Sequence, residues 1–181
     1  MIGMTRHIAF DGLCNFRDLG GYRGADGREV QWGRLYRSDS LGKLKNDDWE
    51  RLRGLGVGTV IDLRYPWEIK AQGRAPEHPD MAYFNFSIEH RPYDQAELDP
   101  EVDPWRFLAD RFAEVVSDGV DELSRTLEVI ATSTRPTVFH CKSGKDRTGI
   151  VAALVLSLLH LGAGRDVLRH LAGEGCLPAG W

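Results

Sequence analysis

Apolar and polar positions along the chain alternate between two rhythms. Residues 59–63, Thr-Val-Ile-Asp-Leu, form a short β-branched run and predict a buried strand. Residues 136–141 carry the same character and predict a second, and residues 29–36 and 82–88 are further strand candidates. Between them lie helical patterns over residues 47–55, 66–71, 105–116 and 120–131, and from Asp146 or Arg147 to Leu161. Strands alternating with helices predict an α/β fold, a central, mostly parallel sheet flanked by helices.

Local signals set the boundaries. Asn46 is the expected cap of the first helix, which Gly54 and Gly56 stop, and Pro66 suits the first turn of the next. Gly20-Gly21, Gly24 and Asp26-Gly27 mark turns in the first forty residues. Residues 89–104 hold three prolines and no clear period, which predicts a loop of a length often tied to function. Residues 150–159 are apolar on nearly every helical face, so that helix must be buried on nearly every face. Beyond it only residues 165–171 look helical before the glycines of the tail.

Length and composition narrow the class. At 181 residues, with 42% hydrophobic and 28% charged residues, one globular domain over residues 1–181 is expected. The net charge of −4 does not favour nucleic acid or an anionic membrane. Cys14, Cys141 and Cys176 are too few and too widely spaced for a disulfide framework or a metal cluster. A reducing, cytoplasmic compartment is expected, with unconventional export left open. The apolar run 150–159 is broken by Ser157 and too short for a transmembrane segment. Oligomeric state is not readable.

The chemistry concentrates in His140-Cys141-Lys142-Ser143-Gly144-Lys145-Asp146-Arg147-Thr148-Gly149, between a predicted strand and a predicted helix. Cleaving a phosphate monoester with sulfur needs a thiolate, whereas a free thiol has a pKa of about 8.5. A loop curled at a helix N-terminus turns backbone N–H groups inward, and the helix dipole adds positive potential. That field is expected to ionise Cys141 and to seat phosphate oxygens. Five residues on, Arg147 offers a planar fork for two of those oxygens. Gly144 permits positive φ at the tightest point. Thr148 has a hydroxyl suited to stabilising sulfur as a leaving group, and His140 is expected to orient the loop through backbone. A nucleotide-binding Walker loop fails, because Phe139 stands where its first glycine belongs and Asp146 follows Gly144-Lys145.

This segment resembles the signature of the protein tyrosine phosphatase superfamily. Asn15-Phe16-Arg17-Asp18-Leu19-Gly20-Gly21-Tyr22 resembles the N-terminal signature of its bacterial and fungal atypical tyrosine/lipid phosphatases, as do Arg37-Ser38-Asp39 and Ile61-Asp62-Leu63-Arg64. The likeness covers roughly residues 11–161; residues 162–181 depart from it, and a truncated or altered C-terminus is expected. It implies a phosphatase fold with Cys141 as nucleophile, Arg147 as phosphate clamp and residues Lys142 to Thr148 around the phosphate. No cofactor or metal is implied. Substrates would be phosphorylated proteins, phosphotyrosine foremost, with phosphoserine, phosphothreonine or phosphoinositide beside it. Lys142 and Lys145 match two basic positions of phosphoinositide 3-phosphatases; the plain alternative leaves Lys142 in solvent and pairs Lys145 with Asp146 or Asp62.

The general acid has several candidates. The loop offers Asp94, Asp99 and Asp103, and Asp103-Pro104-Trp105 holds the residues of a Trp-Pro-Asp loop in reverse order. The resemblance favours Asp146. Asp62, at a strand's carboxyl end, either positions Lys145 or Arg147 or caps the turn before Pro66. Arg17 and Asp18 read as turn and salt-bridge residues; Trp32, Trp49 and residues 83–86 read as core. Two other classes compete with an active phosphatase: a phosphate-binding module of the same fold that turns over poorly, and a rhodanese-like sulfur transferase, which the N-terminal signature disfavours.

Overall fold

The computed structural model describes residues 5–24, 27–92 and 103–159. Strands β1 (Arg17–Asp18), β2 (Leu35–Ser38), β3 (Thr59–Asp62), β4 (Ala82–Asn85) and β5 (Thr137–His140) form one sheet in the order β1-β2-β5-β3-β4. Only β1 runs antiparallel to its neighbour. The helices are α1 (Asp48–Gly54), α2 (Pro66–Gln72), α3 (Pro104–Asp118), α4 (Val120–Thr132) and α5 (Asp146–Leu158), with a 3-10 turn at Leu41–Lys43. The α/β architecture with a mostly parallel sheet is therefore the one the pattern predicts.

Successive side chains of a strand face opposite sides of a sheet. Here Tyr36, Val60 and Val138 join Phe10, Phe16, Leu41 and Leu52 in one core, under α1 and the N-terminal segment. Leu35, Ile61 and Phe139 join Val115, Leu123 and the inner face of α5 in the other. Both faces of the parallel strands are covered, which is why β2, β3 and β5 read as unbroken buried runs. Edge strand β4 is at best half-buried, and Trp32 and Trp49 are half-buried too, so these residues border the core rather than fill it.

Several boundaries differ from expectation; α1, for one, has Asp47 rather than Asn46 at its cap position. Residues 29–36 do not form one strand: Glu29 makes an isolated bridge to Arg23, and the chain turns at Gly33, whose φ is +71°. Asp18 fixes that turn by accepting from the N–H groups of Gly33 and Gly20. The strand begins at Leu35 and runs on into Arg37-Ser38. Helix α3 starts at Pro104, because Asp103 caps it by accepting from the backbone of Trp105 and Arg106. Helix α5 is buried through Leu156 on its inner face, yet Leu158 and Leu159 are exposed among the described residues. The helix candidate at 165–171 and the rest of the tail lie outside the described residues.

Candidate active site

Strand β5 delivers Cys141, buried at 3% exposure, to the carboxyl edge of the sheet. Residues 141–145 then curl back to the start of α5. Gly144 adopts φ +69°, and a Cβ there would lie 2.6 Å from the carbonyl oxygen of Ser38. Only glycine fits both the conformation and the space.

The loop is held from outside by its carbonyls. Asn15 Nδ2 donates to the carbonyls of Ser143 and Gly144, each at 3.0 Å. Arg37, buried at the end of β2, donates to the Gly144 carbonyl at 2.6 Å and to that of Lys145 at 3.3 Å. Ser40 N–H donates to the Lys142 carbonyl. No acceptor among the described residues meets the N–H groups of Lys142, Ser143, Gly144 and Lys145. Carbonyls drawn outward leave amides for an anion, the arrangement of a phosphate cradle. Burial lowers the Arg37 pKa to about 10, against the favourable charges of Cys141 and other neighbours, so Arg37 stays cationic at neutral pH. Asp39 steadies Asn15 in turn, accepting from the N–H groups of Cys14 and Asn15 and pairing with Lys43.

Arg147, in the first turn of α5, has a partner the sequence reading missed. Glu68 accepts from Nη1 at 2.5 Å and from Nη2 at 3.0 Å. Glu68 also caps α2, accepting from the Tyr65 N–H at 3.0 Å. Glu89 Oε2 stands 3.7 Å from Arg147 Nε, and the Tyr65 ring centroid lies 5.7 Å from the guanidinium. Burial disfavours the Arg147 cation, but the Glu68 hydrogen bonds and the charges of Cys141, Glu68 and Glu89 outweigh it and raise its pKa. The clue to Glu68 was its place three residues after Tyr65 with Pro66 between, a capping-box spacing. Nothing in the sequence marked Glu89.

Lys142, Ser143 and Asp146 are exposed and Lys145 half-exposed. Neither lysine forms an ion pair among the described residues, so the pairing of Lys145 with Asp146 or Asp62 is not seen. Thr148 is fully buried, and its hydroxyl has no hydrogen-bond partner among the described residues. His140, fully buried, contacts the Cys141 carbonyl through Nδ1 at 3.3 Å; burial lowers its pKa, against the opposing charge of Asp62.

Asp62 does not reach Lys145 or Arg147; it caps the turn before Pro66, accepting from the Arg64 N–H at 3.1 Å. It is locked to Arg64, at 2.9 Å from Nε and 2.6 Å from Nη2, and accepts from the Tyr83 hydroxyl. Arg64 reaches on to Ser40 Oγ and the Gly73 carbonyl, tying β3 to the strand-end segment beside the loop. Of the loop aspartates, Asp103 serves as a helix cap and Asp94 and Asp99 lie outside the described residues. Among the described residues no cluster of acidic, His or Cys side chains is arranged for a metal, and no helix is long and apolar enough to cross a membrane.

Comparison with known proteins places the chain in a family. A provisionally named tyrosine-protein phosphatase of Cupriavidus necator is 35% identical over 178 residues, covering 91% of this chain and 62% of its own length. The chain thus spans less than two thirds of that relative. The triple specificity protein phosphatase PtpB of Mycobacterium tuberculosis is 28% identical over 194 residues, covering 92% of this chain and 69% of its own. Among solved structures, TpbA of P. aeruginosa shares 19% identity over 79% of this chain and 70% of that one, with a TM-score of 0.39. Residues 8–168 match the model of the tyrosine phosphatase family.

Proposed function

Because the chain belongs to the tyrosine phosphatase family, we propose that it hydrolyses phosphate monoesters through a phosphocysteine on Cys141, with phosphotyrosine as principal substrate. The observation that carries this reading is the outward capture of the loop carbonyls by Asn15 and Arg37, with Cys141 and Arg147 at its two ends. The amides and Arg147 bind three phosphate oxygens and neutralise their charge without a metal.

The Cys141 thiolate attacks phosphorus, forming an S–P bond as the bond to the leaving oxygen breaks. Asp146, exposed at the head of α5, gives that oxygen its proton. A water then attacks phosphorus, loses its proton to Asp146, and the S–P bond breaks to release inorganic phosphate and the thiolate. The buried Thr148 hydroxyl, without a partner among the described residues, donates to the departing sulfur. Hydrolysis of an aryl phosphate in the presence of a chelator tests the reading. Turnover that persists there and vanishes in Cys141→Ser supports it; turnover that survives the substitution rejects it.

A second substrate class, phosphoinositides, is favoured by the two lysines beside the cup, Lys142 and Lys145, which have no ion pair among the described residues. Two ammonium groups there would suit a headgroup with several phosphates. Release of phosphate from a phosphoinositide vesicle, lost selectively in Lys142→Ala with Lys145→Ala, is the expected result. Equal loss on a phosphotyrosyl peptide would count against it.

A further inference from the structure

Arg147 faces two carboxylates, and they take different edges of its guanidinium. Glu68 occupies the end-on pair, Nη1 and Nη2. The other edge able to hold two oxygens at once is the one formed by Nε and Nη2. Glu89 stands over that edge, 3.7 Å from Nε. The same carboxylate has a closer cation on its far side, since its Oε1 lies 3.2 Å from Arg111 Nη2 on α3. All three side chains are largely shielded, at 12–14% exposure, so their charges are weakly screened.

We propose that Glu89 is a positioning residue that stands over the Nε edge of Arg147 until a phosphate arrives and is then handed over to Arg111. The inference rests on the reading of Arg147 as the phosphate clamp. An incoming phosphate and Glu89 cannot share one edge, and two anions at that separation repel. Arg111 supplies the alternative partner that lets Glu89 retreat without leaving a buried charge unpaired. Arg111 also reaches Glu114 and the Arg91 carbonyl, which anchor it to α3 and to the segment after β4. Glu68 therefore holds the clamp in place, whereas Glu89 sets how tightly the clamp holds phosphate and how readily product leaves.

The two carboxylates consequently predict opposite signs. Inorganic phosphate and vanadate, tested as competitive inhibitors of aryl phosphate hydrolysis, should bind about tenfold tighter to Glu89→Gln, from removal of a nearby like charge. They should bind more weakly to Glu68→Gln. Arg111→Gln should weaken both inhibitors, because Glu89 then has no partner but Arg147. In a Glu89→Gln background the Arg111→Gln change should shift them by less than about twofold, as coupled sites do. Unchanged or weaker inhibition in Glu89→Gln overturns the handover, as does an Arg111→Gln effect that is the same in both backgrounds. If neither anion inhibits the wild-type protein, the clamp reading falls first and the handover with it.

Discussion

Glu68 grips both terminal nitrogens of Arg147 across 79 positions of chain, at 2.5 and 3.0 Å. The contact joins the first turn of α2 to the first turn of α5, so it fixes the clamp relative to the sheet edge from which Cys141 emerges. An arginine held this way meets its ligand with little rotamer entropy left to lose.

Removing that partner should cost stability as well as function. Glu68→Ala strands a largely buried guanidinium and is expected to lose about 3 kcal/mol. Burial raises the Glu68 pKa, but the Arg147 hydrogen bond and charge and the Tyr65 amide lower it further, to below its ordinary 4.5. A carboxylate with a depressed folded pKa contributes above its unfolded value and loses that contribution as pH falls through the folded one. The gap between wild type and Glu68→Ala in denaturant unfolding should thus be full above pH 4.5 and shrink below it. A gap independent of pH down to 3 would contradict the ion pair.

Asn15 touches no substrate in this scheme, yet it should matter for binding. Its two bonds to the Ser143 and Gly144 carbonyls contribute about 1 kcal/mol each. Asn15→Ala is expected to weaken phosphate inhibition by about tenfold, with kcat on an activated aryl phosphate falling less. An unchanged inhibition constant would mean that Arg37 and the Ser40 amide set the loop without Asn15.

Gly144→Ala meets two penalties at once, a positive φ and a Cβ 2.6 Å from the Ser38 carbonyl. The loop should lose its curl, and with it most turnover, for a stability cost above about 1 kcal/mol. Gly27 also has positive φ but nothing within 4 Å. Gly27→Ala serves as the control: it should show backbone strain and normal activity. Comparable activity loss in both would remove the steric argument.

Asp146→Asn distinguishes proton transfer from structure. Alkyl phosphates and phenyl phosphate need a protonated leaving group, whereas a nitrophenolate does not. The variant should slow the first class by about a hundredfold or more and the second far less. Equal slowing would assign Asp146 to the loop's shape.

The sheet and the loop were legible because each rests on local pattern. Val60-Ile61 and Val138-Phe139 alternate between two cores, which any buried parallel strand must do. The Cys141 to Arg147 spacing declares its own geometry. The Asn15-to-Tyr22 signature was recognisable, but its physical roles were not: Asn15 holds a loop 128 positions away, Asp18 ties two turns, and Gly20 and Gly21 pack against Trp32. Residues 29–36 misled because their strand-like composition hides a turn that Asp18 imposes from another segment. Asp62 was legible as a turn cap, but its side-chain pairing with Arg64 and the Tyr83 hydroxyl was not. Glu68 and Glu89 act through long-range charge contacts, which leave no periodic trace.

The cup is thus assembled from segments far apart in the polypeptide, with Asn15 and Arg37 bracing residues 143–145 from behind and Asp39 holding Asn15. A ribosome must release more than a hundred further residues before those braces have anything to brace. The decapeptide alone, or a chain shorn of its opening forty residues, would carry every reactive atom and still lack the walls that aim them. Competence should therefore switch on late and all at once, as the last strand slots between β2 and β3.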